Sequence, residues 1–439
     1  MQLDEDISGL LSVPGEILLR MYKVLTLPLV VSSVISAMAR VQLRTSGRMF
    51  VMMILYYLSS TLSAAFIGVL MVALVRPGDV ILPNRSGDPD VQVSGLDTAL
   101  DFVRNMFPTN LVQACFQLHR TVRVPESPVI FSIGLNASEL PRVLRREFEY
   151  SDGLNIFGVI FFCSVFGLVS GYMGGLAQTH VQFFSILNSI CMRLAHIINW
   201  YFPFGVLFLL VHSCVTGDDL GVHLADVRVY ILTVLVGLFV HSFILLPLCY
   251  YLVVKKSPLV FAWKCFQAIM VGFGTSDSVA SAPVTISCLE MSGIDRRVTR
   301  FVLPIACAFN LDGTALYAAV GSIFVANLNG IQLSFQHYII VGVVAALTSF
   351  ANRGIPNAVV ITMVLVLQSA GLSAKHLPVL LAVDWIMNRC RTAVNVYSQA
   401  IAAAVVAHAV RHELEESEDA LSQHHWEHVH DVGIIKRLH

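Results

Sequence analysis

The sequence predicts an all-α polytopic membrane protein that contains two re-entrant helical hairpins and a broken helix. Three observations lead to this prediction. Of the 439 residues, 56% are hydrophobic and 13% are charged, with a mean hydropathy of +0.72, whereas soluble domains carry about 25% charged residues. Apolar stretches of membrane-spanning length recur along the chain. Two further apolar stretches in the C-terminal half are interrupted near the middle by short polar segments.

Composition also argues against several classes of protein. The formal net charge of −1 gives no electrostatic basis for binding nucleic acid. The nine cysteines form no CxxC pair and no metal-ligand spacing, so we predict no disulfide framework. The acidic start, MQLDEDISGLL, lacks the positive region of a secretory signal, and we expect the spans themselves to direct insertion. We find no nucleophile–base pair, phosphate loop or metal constellation, so an enzyme is not predicted.

Seven stretches are long and apolar enough to cross the hydrocarbon core, which takes about 20 helical residues. They are Leu18–Met38, Val51–Val75, Ile156–Gly175, Ile186–Val211, Tyr230–Val254, Phe301–Leu328 and Leu377–Val410. The interrupted stretches, 258–290 and 336–371, have arms of roughly 12–16 residues, too short to cross a core of about 30 Å. We therefore predict a re-entrant hairpin for each, with a tip that protein or a water-filled cavity surrounds.

The distribution of basic residues predicts the orientation of the chain. Lys and Arg concentrate in the loop after the first span and in the loops before 258 and before 301, which places these loops in the cytoplasm. The long polar segment 77–150 then lies outside. It contains two Asn-X-Ser sequons, at Asn84 and Asn136, consistent with N-glycosylation. The polar tail 411–439 is predicted to be cytoplasmic.

A hairpin followed by a longer helix occurs twice. The first unit is 258–290 with 301–328, and the second is 336–371 with 377–410. One hairpin begins from the basic side and the other from outside, so the two units are inverted. Inverted repeats with broken helices that meet near the midplane are typical of secondary transporters.

The span 301–328 contains the sequence FNLDGT, which places Asn310, Asp312 and Thr314 in the middle of the membrane. Gly313 permits unwinding that exposes backbone carbonyls, and such oxygens suit a hard cation such as Na⁺. Intramembrane carboxylates are costly and usually functional, although a tolerated kink with a satisfied Asp is the structural alternative. Hydroxyls of YYLSST (56–61) in the second span could reach the cation, but such groups also bond between membrane helices.

The last span carries a polar face. Its members, spaced by 4, 3, 4 and 4 residues, are Asp384, Asn388, Arg391, Asn395 and Gln399, with Thr392 beside them. This spacing aligns them on one side of a helix. Each charge at a helix centre costs about 2.5–3.5 kcal/mol, so we expect a partner or a water-filled cavity. Arg391 presents a planar fork suited to a carboxylate; the alternative is that it pairs with Asp384 only as a structural contact.

These residues lie in stretches that resemble the glutamate/aspartate transporter family, which includes animal excitatory amino acid transporters, neutral amino acid exchangers and bacterial aspartate and dicarboxylate symporters. The matching stretches are PGEILLRMYKVLTLPLVVSSVISAMA (14–39), NMFPTNLVQACFQ (105–117), RFVLPIACAFNLDGTALY (300–317) and VDWIMNRCRTAVNV (383–396). The resemblance extends over nearly the whole chain. The second and third are more similar to the animal branch, so the chain resembles a divergent animal-type member.

The resemblance implies a scaffold domain and a transport domain, the latter built from two hairpins and two helices and moving like an elevator. It implies that 1–254 form the scaffold and connecting spans, that 255–410 form the transport core, and that 411–439 form the tail. Family members usually assemble as homotrimers. The resemblance therefore implies a multi-pass protein of the plasma membrane that carries its substrate together with Na⁺ and uses no organic cofactor.

The resemblance also implies roles for individual residues. Arg391 would bind the side-chain carboxylate of the substrate, and Thr392 and Asn395 would hold its main-chain end. The substrate would be enclosed by Ser276, Ser278 and Thr314. One Na⁺ site would comprise Tyr57, Ser60, Thr61, Asn310, Asp312 and Asn395. Further candidate Na⁺ residues are Ser349, through the backbone of the outer hairpin, Asp384 and Gln399.

Several positions depart from the family pattern. Asn388 replaces the Asp that binds the substrate ammonium, and Gln399 replaces a second Na⁺-site Asp. Ala318 replaces a Glu associated with proton and K⁺ coupling. Asp277 and Arg353 place new charges at the two hairpin tips and are candidates to pair with each other. The sequence begins just before the PGE segment, so the family's usual first span has no counterpart in it.

The primary functional prediction is Na⁺-coupled symport of acidic amino acids, L-glutamate or L-aspartate. Retention of Arg391 argues against neutral substrates, because the exchangers of this family lack an Arg there. The first alternative is a dicarboxylate symporter, since a substrate without an amino group suits Asn388. The second alternative is a substrate-gated anion channel or a transport-deficient homologue, because the lost carboxylates could leave only such roles.

Overall fold

The computed structural model describes residues 5–39, 43–78, 95–125, 144–215, 220–331, 333–349, 359–369, 372, 377–411 and 413. The helices of the first part are α1 (Glu5–Ala39), α2 (Leu43–Val75), α3 (Gly95–Met106), α4 (Leu111–Ala114), α5 (Ile156–Met173), α6 (Gln178–Val215), α7 (Leu220–Val240) and α8 (Leu246–Val254). The core contains α9 (Pro258–Thr275), α10 (Ser278–Met291), α11 (Arg296–Phe309), α12 (Asp312–Leu328), α13 (Phe335–Ser349), α14 (Val359–Ser369) and α15 (Leu377–Ala409).

Within the described residues, six helical segments are long and apolar enough to cross a membrane. They are Gly9–Ala39, Gly47–Val75, Ile156–His212, Asp226–Val254, Pro258–Thr275 and Arg296–Leu328. The prediction of an all-α polytopic membrane protein is confirmed. The third segment joins two predicted spans, because a short 3₁₀ turn at Gly174–Ala177 connects α5 directly to α6. The predicted last span is a helix, α15, which is not among the six.

The predicted outer segment 77–150 contains an element that the sequence analysis did not predict. Two strands, β1 (Gln117–Pro125) and β2 (Leu144–Asp152), pair antiparallel. The buried carboxylate of Asp101 in α3 accepts hydrogen bonds from the backbone N–H of Thr121 (2.6 Å) and from its hydroxyl (2.5 Å). These bonds hold the sheet against α3.

Some predictions fall on residues that the structure does not describe. These are the sequons at Asn84 and Asn136, Arg353 with the rest of the second hairpin tip, and the tail after residue 413. Glycosylation and the pairing of Asp277 with Arg353 therefore remain predictions.

The core repeats the predicted order of hairpin and long helix. Helices α9 and α10 pack antiparallel as the first hairpin, and α13 and α14 form the arms of the second. Helix α12 is the most enclosed element, since it packs against α2, α7, α13, α14 and α15. Arg48 near the start of α2 forms an ion pair with Glu413 after α15 (2.7 Å), so these two chain segments lie at the same end of the bundle.

Helices α1 and α5 approach closely at two glycines spaced by four residues. A Cβ added to Gly167 would lie 2.7 Å from the Met38 Cβ and 2.9 Å from the Ile35 carbonyl oxygen. A Cβ added to Gly171 would lie 2.7 Å from the Ala39 carbonyl oxygen. Small residues at this spacing allow membrane helices to pack backbone against backbone.

We expect Gly167→Leu to destabilise the protein, because the larger side chain must displace the α1 backbone. Overpacking of this kind costs about 1–3 kcal/mol, which would lower the thermal unfolding midpoint of the purified protein in detergent. Gly175→Leu is the matched control, since a Cβ there meets nothing within 4 Å. Equal midpoints for the two variants would contradict this account of the α1–α5 contact.

Candidate functional site

The central helix of the core is broken at Asn310 (φ −95°, ψ 82°) and Leu311 (φ −118°, ψ 59°), between α11 and α12. A break leaves backbone groups without helical partners. Helix α15 supplies partners for two of them. The Gly313 N–H donates to Asn395 Oδ1 (2.7 Å), and the Gln399 amide donates to the Asn310 carbonyl (3.1 Å). Two side chains of the predicted polar face thus stabilise the break.

The first turn of α12 lies directly against the backbone of α15. A Cβ added to Gly313 would lie 2.5 Å from the Arg391 carbonyl oxygen and 3.0 Å from its Cα. Only glycine permits this approach, because the obstructing atoms are backbone atoms that cannot move aside. The approach brings the Asp312 side of the break next to the polar residues of α15.

The Asp312 carboxylate is fully buried and accepts hydrogen bonds from four side chains. Oδ1 accepts from the Thr61 hydroxyl (2.8 Å). Oδ2 accepts from the hydroxyls of Ser60 and Ser398, the latter at 2.5 Å, and lies 3.1 Å from His241 Nε2. The predicted grouping of second-span hydroxyls with Asp312 is therefore present for Ser60 and Thr61.

Two members of this cluster were missed by the sequence analysis. His241 is fully buried in a π-helical turn, His241–Leu245, that joins α7 to α8, and such turns often mark functional sites. The Ser398 hydroxyl also accepts from Asn310 Nδ2 (3.0 Å). An ionisable side chain within an apolar span was a sequence signal for His241, whereas Ser398 carried no comparable signal.

The other predicted Na⁺ residues have different partners in this structure. The Tyr57 hydroxyl donates to the Val302 carbonyl (3.0 Å), and the Ser349 hydroxyl donates to the Ala346 carbonyl of its own helix (2.7 Å). Asn310 Oδ1 is buried and has no hydrogen-bond partner in the described structure. The oxygens gathered around Asp312 are carboxylate and hydroxyl oxygens, which a hard cation prefers as ligands.

Arg391 is buried, with 3% of its surface exposed, and is held on three sides. Nη1 donates to Asp384 Oδ1 (2.8 Å), Nε donates to Asn388 Oδ1 (3.1 Å), and the guanidinium carbon lies 4.9 Å from the centre of the Tyr317 ring. The structural pairing with Asp384 is therefore present. Among the described residues Nη2 has no acceptor, so the fork keeps free N–H groups for a further carboxylate.

The remaining substrate-site candidates surround this guanidinium in sequence and space. The Thr392 hydroxyl donates to the Asn388 carbonyl one turn earlier (2.7 Å), and Asn395 Nδ2 lies 3.3 Å from the Thr314 hydroxyl. Asn395 therefore contacts both residues that follow Asp312 in the first turn of α12.

The tip of the first hairpin is an ordered turn fixed to α15. Ser276 adopts the left-handed conformation (φ 56°), and the Asp277 carboxylate caps α10 by accepting from the Val279 N–H (2.8 Å). Ser278 begins α10 and is buried. Arg389 Nη1 of α15 donates to the Gly274 carbonyl (2.7 Å), which fixes the tip to this helix.

A broken membrane helix, flanking hairpins, a buried oxygen cluster and a buried guanidinium together define a secondary transporter. The sequence profile of the sodium:dicarboxylate symporter family matches residues 3–409, and the chain belongs to this family.

Several relatives cover most of the chain. Excitatory amino acid transporter 2 of Mus musculus is 40% identical over 429 residues, which span 93% of this chain and 75% of that protein. Excitatory amino acid transporter 3 of the same species is 41% identical over 420 residues (92% and 80%), and the excitatory amino acid transporter of Onchocerca volvulus is 40% identical over 415 residues (92% and 84%). The family resemblance drawn from the motifs is confirmed.

We expect His241→Ala to lower the thermal unfolding midpoint, because Asp312 loses a donor that reaches it inside the core. A hydrogen bond to a charged group contributes about 1.5–3 kcal/mol. In an Asp312→Asn background, the same His241→Ala change should cost much less, since the neutral amide depends less on that donor. Exposed His180 offers a control, and His180→Ala should leave the midpoint unchanged. Equal losses from His241→Ala in both backgrounds would contradict the coupling.

Proposed function

We propose that this chain carries acidic amino acids, L-glutamate or L-aspartate, across the plasma membrane by Na⁺-coupled symport. The observation that carries the proposal is the buried Arg391 fork, whose Nη2 has no acceptor among the described residues. A substrate carboxylate supplies the acceptor that this geometry lacks. The names of the relatives, excitatory amino acid transporters, agree with this substrate class.

In this proposal the substrate lies between α15, the first turn of α12 and the first hairpin tip. Arg391 binds the side-chain carboxylate. Thr392 and Asn395 hold the main-chain end after leaving their present partners, which are the Asn388 carbonyl and the Gly313 N–H. The tip serines and Thr314 close around the substrate.

Na⁺ would bind at the oxygen cluster around Asp312. Asp312, Ser60, Thr61 and Asn310 supply carboxylate, hydroxyl and amide oxygens, and Ser398 adds one more hydroxyl. The buried Asn310 Oδ1 is an acceptor that a cation would satisfy. Tyr57 and Asn395 join the site only if they leave their present partners, and Ser349 would contribute its backbone to a separate site.

The domain division and the assembly state belong to the same proposal. Residues 1–254 would form the scaffold and connecting spans, and 255–410 a transport core that moves as one unit within a homotrimer. The ion pair between Arg48 and Glu413 supports a common side for the first basic loop and the start of the tail. By the positive-inside rule that side is the cytoplasm.

In vesicles, we expect the wild-type chain to accumulate labelled aspartate with Na⁺ outside and to lose uptake when choline replaces Na⁺. Arg391→Ala should reduce substrate affinity by roughly a hundredfold or more, because two charge-assisted hydrogen bonds are lost. Arg193→Ala, at an exposed position of α6, should retain uptake. Na⁺-independent accumulation would contradict the mechanism. A substrate-evoked anion current without net uptake would favour a channel instead.

A dicarboxylate symporter is the second candidate, because of Asn388. Its Oδ1 accepts from Arg391 Nε (3.1 Å), so this acceptor is already engaged. The amide carries no charge to pair with a substrate ammonium group. A substrate with two carboxylates and no amino group would avoid that unmatched charge.

Competition against labelled aspartate separates the two candidates. For symport of acidic amino acids, unlabelled aspartate should displace the label better than succinate or malate. Asn388→Asp should increase the preference for aspartate by about tenfold. The new carboxylate could pair with the substrate ammonium group, and such a charge-assisted contact contributes on the order of 1–2 kcal/mol. Succinate displacing the label better than aspartate in the wild-type chain would overturn the first candidate in favour of the second.

A further inference from the structure

The end of the core that carries the basic loops contains an open cavity of about 760 Å³. It lies where the end of α8, the start of α9, the turn between α10 and α11, and the end of α15 meet. Its charged lining consists of five cationic side chains and one carboxylate: Lys255, Lys256, Lys264, Arg297, Arg411 and Asp295. Neither the substrate site nor the cation cluster uses these residues.

The positive charge of this cavity is not neutralised by its own carboxylate. Asp295 Oδ2 lies 2.8 Å from Arg297 Nη2, and hydrogen bonds from Arg297 hold the pKa of Asp295 below its usual range. The pair therefore stays ionised and cancels its own charge. The three lysines are exposed, and none has a carboxylate within ion-pair distance in the described part of the chain. Such a concave surface attracts multiply charged anions.

A neighbouring cavity shows that this excess is local. It has a volume of about 900 Å³ and is lined by residues of the same turn and of the end of α10. Its charged lining is balanced, with Arg296 and Arg297 facing Glu290 and Asp295. Arg296 Nε forms an ion pair with Glu290 (3.1 Å). Arg296 and Arg297 are therefore paired with neighbouring carboxylates, whereas Lys255, Lys256 and Lys264 of the first cavity have no carboxylate partner in the described part of the chain.

The N-terminus of α9 adds to the positive potential of the cavity. Ser257 and Val260 line it, and Ser257 makes no side-chain hydrogen bond to the first turn of the helix. The free N–H groups and the helix dipole favour an anion at such a terminus.

Apolar side chains beside the cavity indicate what kind of anion fits. Leu259 and Trp263, in the first turns of α9, are each 77% exposed, and the Trp263 ring stacks on Phe266. An exposed Trp next to lysines is typical of the boundary between membrane and water. A soluble anion would use only the charged wall, whereas a lipid would use the charged wall and this apolar surface.

We propose that this cavity binds the headgroup of a phospholipid with several phosphate groups, whose acyl chains lie along the exposed face of α9. Basic pockets between membrane helices on the cytoplasmic side are suited to such headgroups. The three lysines contact the phosphates. This site goes beyond the proposed symport, because it involves neither the substrate nor Na⁺.

The test uses the full-length chain purified in detergent and a fluorescent short-chain phosphatidylinositol bisphosphate, with binding followed by anisotropy. We expect saturable binding to the wild-type chain. The triple variant Lys255→Gln/Lys256→Gln/Lys264→Gln should bind on the order of a hundredfold more weakly, at about fivefold per lysine. The control Arg20→Gln/Lys23→Gln/Arg193→Gln removes the same charge from exposed positions of α1 and α6 and should bind like wild type.

Three results would overturn the proposal: unchanged binding by the lysine triple variant, an equal loss in the control triple variant, or binding of free inositol trisphosphate as tight as that of the lipid. The last would identify a soluble polyphosphate as the ligand. Thermal unfolding checks that each variant is folded. If the triple variant is not, Lys264→Gln alone should weaken binding by about fivefold. All measurements omit substrate and Na⁺, so their outcome is independent of whether the proposed symport holds.

Discussion

The buried carboxylate of Asp312 is the constraint on which the packing of the core depends. A charge inside the membrane is costly unless donors surround it. Its donors come from α2, from the π-helical turn between α7 and α8, and from α15. These elements must therefore meet at one point with their polar side chains in register. Apolar burial alone specifies that register less strictly, because the hydrophobic effect is non-directional.

The same geometry brings the Arg391 guanidinium and a member of the Asp312 cluster, Ser398, onto one helix, α15. Arg391 and Ser398 are separated by about two turns of α15, roughly 10 Å along the axis. Between them, Asn395 bonds both to the Gly313 N–H and to the Thr314 hydroxyl. Any ligand that draws Asn395 away from Gly313 must therefore disturb the turn that begins at Asp312. Asn395 thus links the helix that carries Arg391 directly to the turn that begins at Asp312. Coupling between the substrate and Na⁺ of the proposed symport would require each ligand to act differently on this turn.

Much of the architecture was predictable because the membrane imposes simple rules on the sequence. The spacing of Asp384, Asn388, Arg391, Asn395 and Gln399 predicted one helix face, and all five side chains form hydrogen bonds there. The first three bond to one another, and the last two bond to the break between α11 and α12. The broken span was predictable because FNLDGT combines an intramembrane carboxylate with a glycine, and the structure breaks the helix at Asn310 and Leu311.

The parts that were missed depend on contacts distant in sequence. His241 reaches Asp312 from a π-helical turn. No local sequence pattern indicates that this histidine meets a carboxylate 71 residues away. The strands β1 and β2 contain alternating residues such as Glu147-Phe148-Glu149-Tyr150, a strand period within a segment that composition marks only as polar. Asp384 was grouped with the Na⁺ candidates by resemblance, whereas the structure gives it Arg391 as its described partner, an assignment that depends on side-chain direction.

Two amides on α15, Asn388 and Gln399, lie at positions where the family resemblance implied carboxylates. A carboxylate offers only acceptors, so hydrogen-bond donors or a cation must complete its site. An amide also brings a donor of its own. Gln399 gives its N–H to the Asn310 carbonyl, which is therefore satisfied without a cation. The Asn388 Oδ1 accepts a hydrogen bond from Arg391 Nε. It therefore orients the guanidinium without adding a negative charge beside it. Each amide thus makes a contact that the protein completes by itself, while the Asp312 cluster is centred on a carboxylate.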